Sequence, residues 1–199
     1  MIIHNCVQGS DEWMTLRIGS IGGSSISKVM AKGEGKTRKA LLYDMVGEML
    51  AGCKKERFVS GPMKDGIEYE DEARNLYSFM TDNEVEQIGF FKEGPHKHYS
   101  PDGCAGESGI IEIKTVIPST FVEYKYTGKI PTDYRRQMQW GLYISGRAWC
   151  DYVVYAPAVK SGVPLIVRRL ERDEKEIAEL DAGADEFIEE MLKVYEAVR

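Results

Sequence analysis

The segment from Ser100 to Lys114 constrains the fold of this chain more than any other. It reads Ser100-Pro101-Asp102-Gly103, then a short polar stretch, then Ile110-Ile111-Glu112-Ile113-Lys114. Side chains alternate along a strand, so Glu112 and Lys114 share one face while Ile111 and Ile113 share the other. At a rise of ~3.4 Å per residue, the Cα atoms of Glu112 and Lys114 lie about 7 Å apart. One face therefore meets an apolar core, and the other offers a carboxylate and an ammonium. Gly106-Glu107-Ser108-Gly109 suits a hairpin turn. Folding about it sets Asp102 opposite Ile113, to within one residue. It leaves open whether Asp102 shares the face of Glu112.

Around this segment the pattern alternates between helix and strand. Ser10 caps a short helix that Gly19 ends, and Gly22-Gly23-Ser24-Ser25 leads into another over 25–30. Gly33-Glu34-Gly35-Lys36 reads as a loop, and Thr37 caps a helix with Leu41, Leu42, Met45, Val46, Met49 and Leu50 on one face. Lys54-Lys55-Glu56-Arg57 reads as a solvated linker, and Ser60-Gly61-Pro62 starts a helix to about Met80. Strands are expected at 84–92, 98–104 and 109–117, a helix at 131–145, and strands at 149–156 and 163–170. Asp173 caps a closing helix with Ile177, Leu180, Ala184, Phe187, Ile188, Met191 and Tyr195 in one stripe. The expected class is α/β with a mixed sheet.

The chain has 199 residues, which suits a single domain over 1–199. At 43% hydrophobic residues it is too apolar to be disordered, and no apolar run approaches the roughly 20 residues that span a bilayer. The expectation is a soluble cytoplasmic protein with no membrane partner. Its 26 basic against 32 acidic residues give a net charge of −6, so nucleic acid would have to meet a local basic surface or a metal-bridged site. Cys6, Cys53, Cys104 and Cys150 are far apart, without a CxxC pair, and read as reduced thiols rather than zinc or iron–sulfur ligands.

Each piece of the central segment has an ordinary explanation, since SPDG is a frequent turn and a Glu-x-Lys pair often marks the wet side of a strand. Together, in this order, they form the PD-(D/E)xK pattern. Two carboxylates ~4 Å apart repel by about 4 kcal/mol at an effective dielectric near 20. A divalent cation turns that repulsion into attraction, and oxygen-only ligands select Mg²⁺ or Mn²⁺. Lys114 is a cation at its reference pKa of ~10.4 and can stabilise negative charge as it stands. On the helix after Pro62, Met63, Ile67, Glu70, Ala73 and Tyr77 line one stripe, with Glu68, Asp71 and Glu72 largely off it. An inward Glu70 either pairs with a buried arginine or faces the site of Asp102 and Glu112. Gln137 aligns with Tyr134, Gly141 and Ile144, so one amide points inward, as a core polar group or as an orienter of water.

Read in order, several motifs resemble the phage lambda exonuclease family, the YqaJ-like viral recombinase nucleases of the PD-(D/E)xK superfamily. They are Gln8-Gly9-x-Asp11-x-Trp13-x-x-Leu16-Arg17-x-Gly19, then Gly66-x-x-Tyr69-Glu70-x-x-Ala73-Arg74, the SPDG and Glu112-x-Lys114 pair, and Gln137-x-Gln139. Glu171-Arg172-Asp173-Glu174-Lys175 extends the similarity to nearly the whole chain.

The resemblance implies a restriction-endonuclease-like core, a central mixed β-sheet flanked by helices. It implies 5′→3′ digestion of linear double-stranded DNA that leaves a 3′ tail, by an enzyme of phage or prophage origin in a bacterial host. Asp102 and Glu112 would ligate Mg²⁺ or Mn²⁺, two ions per site, with the Ile113 carbonyl assisting and Glu70 in support. Lys114 and Gln137 would position or activate water. Arg17 and Ser24, with Ser25 and Gln139 beside them, would hold the 5′-phosphate and DNA. Arginine grips phosphate bidentately, and a Gly-Gly-Ser helix start offers N–H groups to an anion, although Ser24 also suits a plain N-cap. A homotrimeric ring and a single-strand annealing partner are implied too; a closed ring can keep basic residues inside and acids outside.

Other motifs are weaker. Gly35-Lys36-Thr37 fails as a P-loop because Met30 stands where the first glycine is needed. Lys32, Lys36, Arg38, Lys39, Lys54, Lys55 and Arg57 suit a DNA-facing patch or a solvated face, and His96-x-His98 has metal-ligand spacing without matching partners.

Overall fold

The computed structural model describes residues 1–31, 35–54 and 61–199, with side chains of the last stretch from residue 69 onward. Expectations for Lys32, Gly33, Glu34, Lys55, Glu56, Arg57 and Ser60, and for the side chains of Met63, Ile67 and Glu68, lie outside the described residues.

The core is a five-stranded mixed sheet in the order β2 (Val85–Glu86), β5 (Gly103–Ala105), β6 (Gly109–Thr115), β7 (Trp149–Tyr155), β8 (Leu165–Glu171). Among the described strands of this sheet only β6 and β7 run parallel, and that crossover carries α5 (Pro118–Thr127) and α6 (Thr132–Ser145). A second, antiparallel sheet joins β1 (Ile2–His4), β3 (Phe90–Glu93) and β4 (Lys97–Tyr99).

Both faces of the large sheet are covered, which explains the apolar run in β6. On one face Ile111, Ile113 and Val153 pack with Ala73 and Tyr77 of α4 (Gly61–Thr81). On the other, Ile110, Tyr152 and Val154 pack with α6 and, beyond it, with α2 (Gly23–Val29), α3 (Lys36–Ala51) and α7 (Glu174–Val198). Asp151 is buried on the α4 face, where it accepts from Tyr77 Oη at 2.7 Å and from Arg169 Nε and Nη2 at 2.9 Å each. This ties α4 to two strands at once.

Caps follow local chemistry at two helices. Ser10 accepts from Trp13 N–H at the start of α1 (Asp11–Thr15), and Asp173 accepts from Glu176 N–H at the start of α7. Two expected caps differ. Gly35, not Thr37, is the N-cap of α3, and Gly22, not Ser24, is that of α2.

The expected strands at 84–92 and 98–104 each divide between the two sheets. At the first break, side chains capture the carbonyls that a continuous strand would give to a neighbour. Gln8 Nε2 donates to Ile88 O at 2.9 Å, and Trp13 Nε1 to Gly89 O at 3.2 Å. At the second, Pro101 has no N–H to give, and its carbonyl is taken by Gln8 at 2.9 Å. Sequence reading also passed over β1, too short for a period, and α5. The latter leaves Val122 and Tyr126 exposed and so carries no clean stripe.

Candidate active site

The hairpin over residues 106–109 pairs Gly103 with Ile111. Continued by one residue, that register sets Asp102 across from Glu112, on the same face, which resolves the register left open above. The face is not wet. Glu112 is 2% exposed and its carboxylate is filled by three donors from three elements. Tyr99 Oη on β4 donates to Oε2 at 2.6 Å, while Lys114 Nζ on β6 and Gln137 Nε2 on α6 donate to Oε1 at 2.6 and 2.5 Å. A buried carboxylate needs such partners, because leaving it unpaired costs several kcal/mol.

The same enclosure sets the protonation of its neighbours. Burial, with the Glu112 charge adding, holds the Tyr99 phenol well above its ordinary range, so it remains a donor. For Lys114 burial works against the charge, but Glu112 and Asp102 outweigh it and raise the ammonium above its usual value. Lys114 Nζ also lies 5.0 Å from the Tyr134 ring centre. These carboxylates therefore favour the charged form of Lys114.

Asp102 is fixed from two sides. Its Oδ2 accepts from Ile113 N–H at 2.6 Å, and its backbone carbonyl accepts from Arg74 Nε at 2.9 Å. Burial and then the Glu112 charge push its carboxyl well above the normal range.

Glu70 meets both alternatives left open by the sequence. It accepts from the buried Arg74 at 2.5 Å, and its pKa is raised by burial first, opposed by Arg74, with Asp71 and Glu112 adding to the rise. The arginine partner is real, and Glu70 still stands within electrostatic reach of Glu112. It shares its field with the acidic pair Asp102 and Glu112 while Arg74 holds it.

Whether these residues suit a hard cation follows from the donor set. Among the described residues no three His, Cys, Asp or Glu side chains come close enough to cage an ion by themselves. Two carboxylates that repel each other, plus the Ile113 carbonyl, are instead a set for an ion that keeps several waters, which is the habit of Mg²⁺. The residue types fit such an ion, and Asp102 and Glu112 would hold it.

Arg17 lies beyond Tyr99. Its Nε donates to His98 Nε2 at 2.7 Å, and its guanidinium carbon sits 3.5 Å from the Trp13 ring centre. The start of α2 packs here. A Cβ on Gly22 would lie 2.6 Å from His98 Nε2, and one on Gly23 2.8 Å from Tyr99 and 3.1 Å from Gln137 Cγ. Only glycines admit this approach. Ser24 is exposed and Ser25 half-buried on that first turn, one and two residues after Gly23.

Gln139 is a correction. It is fully buried, donates to Glu171 O at 2.9 Å and accepts from Asp173 N–H at 3.0 Å. It joins the end of β8 to the cap of α7 and faces no DNA, because residues two apart on a helix point to different sides. The basic patch is also reduced. Arg38 pairs with Glu190 at 2.5 Å, and Lys54 with Glu48 at 2.7 Å. His96 and His98 do not meet as a ligand pair, since His96 Nδ1 contacts Gly19 O at 2.7 Å.

Three residues of the site escaped sequence reading: Tyr99, His98 and Arg74. The i, i+4 spacing from Glu70 was a signal for Arg74. Tyr99 gives none and His98 only its spacing from His96, since each acts on a residue far along the chain.

Comparison with known proteins places the chain in a family. A family model described as the YqaJ-like viral recombinase domain matches residues 12–148. An alkaline exonuclease from Laribacter hongkongensis, LHK-Exo, superposes with a TM-score of 0.88 at 29% identity, over 95% of this chain and 96% of that one. The same enzyme in complex with dAMP gives 0.89 at the same identity and coverage. A phage-related exonuclease from Haemophilus somnus 129PT shares the fold, at a TM-score of 0.62 and 14% identity, over 87% and 95% of the two chains. No curated protein matches. With the model spanning the segment from Trp13 through Gln137, this chain belongs to the YqaJ-like viral recombinase domain family.

Proposed function

We propose that this protein is a divalent-metal-dependent deoxyribonuclease that removes nucleotides from the 5′-ended strand of linear duplex DNA, leaving a 3′ single-stranded tail. The observation that carries the reading is the shared face of Asp102 and Glu112, with Lys114 and Gln137 both bonded to Glu112. Membership of the recombinase family and likeness to an alkaline exonuclease support the nuclease class.

Asp102 and Glu112 would hold Mg²⁺ or Mn²⁺, the Ile113 carbonyl assisting and Glu70 adding negative potential behind Arg74. When bound, such an ion makes water more acidic and offsets charge developing on the phosphate. The chain's own groups do the rest. Gln137, with Nε2 on Glu112, turns its Oε1 toward an attacking water. Lys114, held as an ammonium, stabilises the negative charge that grows on the phosphoryl oxygens. Water attacks phosphorus, the P–O3′ bond breaks, and the 3′ oxygen leaves as a hydroxyl, so the shortened strand again begins with a 5′-phosphate. Arg17, with Ser24 and Ser25 at the start of α2, receives that phosphate.

A homotrimeric ring around the duplex, a single-strand annealing partner, a single nuclease domain over 1–199 and a place in the cytoplasm of a phage- or prophage-bearing bacterium belong to the same proposal. Among the described residues no helix is long and apolar enough to cross a membrane.

Duplexes labelled separately at each 5′ and 3′ end, compared with covalently closed circles, test the reading. Expected is Mg²⁺-dependent loss of the 5′ label first, with circles intact. Rapid cutting of circles would make the protein an endonuclease, and tight end binding without nucleotide release would make it an end-binding module.

A further inference from the structure

Neighbouring residues of β4 hold the two halves of the proposed site. Tyr99 reaches Glu112, as described, and His98 reaches Arg17. His98 is 2% exposed, and its ring is bound at both nitrogens: Nε2 meets Arg17 Nε at 2.7 Å and Nδ1 meets Ser20 Oγ at 2.8 Å. An arginine Nε–H only donates, so His98 Nε2 must be the acceptor and carry no proton. Its proton is then on Nδ1, where it donates to Ser20 Oγ. The strand itself is pinned behind the ring, because Trp140 Nε1 donates to His98 O at 3.0 Å. On the other flank of Arg17, the Trp13 ring stacks against the guanidinium at 3.5 Å.

From this geometry we infer that His98 is the positioning residue that fixes Arg17 for a DNA 5′-phosphate, with Ser20 selecting its tautomer. The inference rests on the reading of Arg17 as the phosphate-binding residue. An arginine side chain has considerable rotamer freedom to lose when it binds. The bond at Nε and the stack on Trp13 remove that freedom before the anion arrives, which is how preorganisation raises affinity. The partner that does this, His98 Nε2, is a neutral acceptor. A neutral imidazole orients the guanidinium without itself adding a negative charge beside it. Gly22 is part of the device, because a Cβ at that position would lie 2.6 Å from His98 Nε2, where Arg17 donates.

The test compares kcat/KM on duplexes bearing a 5′-phosphate with those bearing a 5′-hydroxyl, using the full chain with Mg²⁺ in excess. His98→Phe keeps a buried ring without the acceptor. It is expected to lower the phosphate-over-hydroxyl ratio about tenfold, the worth of one hydrogen bond to a charged group. His98→Gln, which places an amide oxygen near the old Nε2, recovers most of the ratio, and Ser20→Ala lowers it about twofold to threefold, as loss of a weaker neutral hydrogen bond does. In an Arg17→Ala background, His98→Phe changes the ratio no further. Melting curves confirm that each variant is folded; if His98→Phe does not fold, Ser20→Ala and His98→Gln carry the test.

If Arg17→Ala itself leaves the ratio unchanged, the phosphate reading of Arg17 falls. If Arg17→Ala abolishes the preference while folded His98→Phe or Ser20→Ala keeps it, or if His98→Phe acts equally without Arg17, the positioning role of His98 is overturned and the phosphate reading stands.

Discussion

Arg74 Nε is 2.9 Å from the backbone carbonyl of Asp102, which makes a helix on one side of the sheet responsible for the place of a carboxylate on the other. The same guanidinium holds Glu70 and Asp71 at 2.5 Å each, so one side chain joins α4 to the bend before β5. Arg74→Met is expected to destabilise the protein by about 1.5–3 kcal/mol, the cost of hydrogen bonds to charged groups. It also raises the Mg²⁺ concentration for half-maximal nuclease activity. Arg74→Lys does not restore that concentration, because a lysine cannot reproduce the planar fork. Chemical denaturation and a Mg²⁺ titration of nucleotide release check both statements.

Lys114→Ala is expected to lower turnover by about a hundredfold or more, in line with loss of one preorganised group that stabilises developing charge. DNA binding at saturating Mg²⁺, read by fluorescence anisotropy, changes little. Retained full activity would remove Lys114 from the chemistry.

Burial and the Glu112 charge raise the Asp102 carboxyl, so ionised Asp102 strains the metal-free protein. In EDTA, Asp102→Asn is expected to raise the melting temperature by about 2–4 °C, the shift that ~1 kcal/mol produces in a domain of this size. Adding Mg²⁺ then raises the melting temperature of the unsubstituted protein and leaves the variant unmoved. Nuclease activity vanishes in EDTA and returns with Mg²⁺ only for the unsubstituted protein. A variant that melts lower in EDTA would contradict the electrostatic account.

Asp151 is bonded to Tyr77 and Arg169 on the opposite face from Glu112. Asp151→Ala is expected to cost about 3 kcal/mol, since a buried phenol and a guanidinium lose their acceptor together. Assayed well below its lowered melting point, it keeps the Mg²⁺ dependence of the unsubstituted protein. A shifted Mg²⁺ dependence would mean that the two faces are coupled.

How far the site was legible depends on how far each contact reaches along the chain. Asp102, Glu112 and Lys114 lie within one hairpin, and the structure joins them in the order their spacing suggests. Gln137 and Gln139 differ by two positions, yet one amide bonds Glu112 and the other clips β8 to α7. The helical phase distinguishes them, since Gln137 aligns with Tyr134 and Gly141. Glu70 was found on its stripe, but its balance between Arg74 and the acidic pair was not, because that balance depends on distances across the sheet. Tyr99 carries no sign of a site role, and His98 carries only its spacing from His96. A tyrosine and a histidine on a short strand carry no local mark of what they will touch.

The sequence by itself determined what neighbours in the chain decide: the alternation of β6, the turn after β5, the caps Ser10 and Asp173, and a paired set of residue types suited to a hard cation. Only the tertiary structure decided the division of two expected strands between two sheets, the face that Asp102 occupies, and the partners that fill Glu112. Local pattern sets periodicity and turn chemistry within a few residues. Strand register, sheet membership and buried hydrogen bonds are instead settled by which distant side chains can satisfy one another when water is excluded.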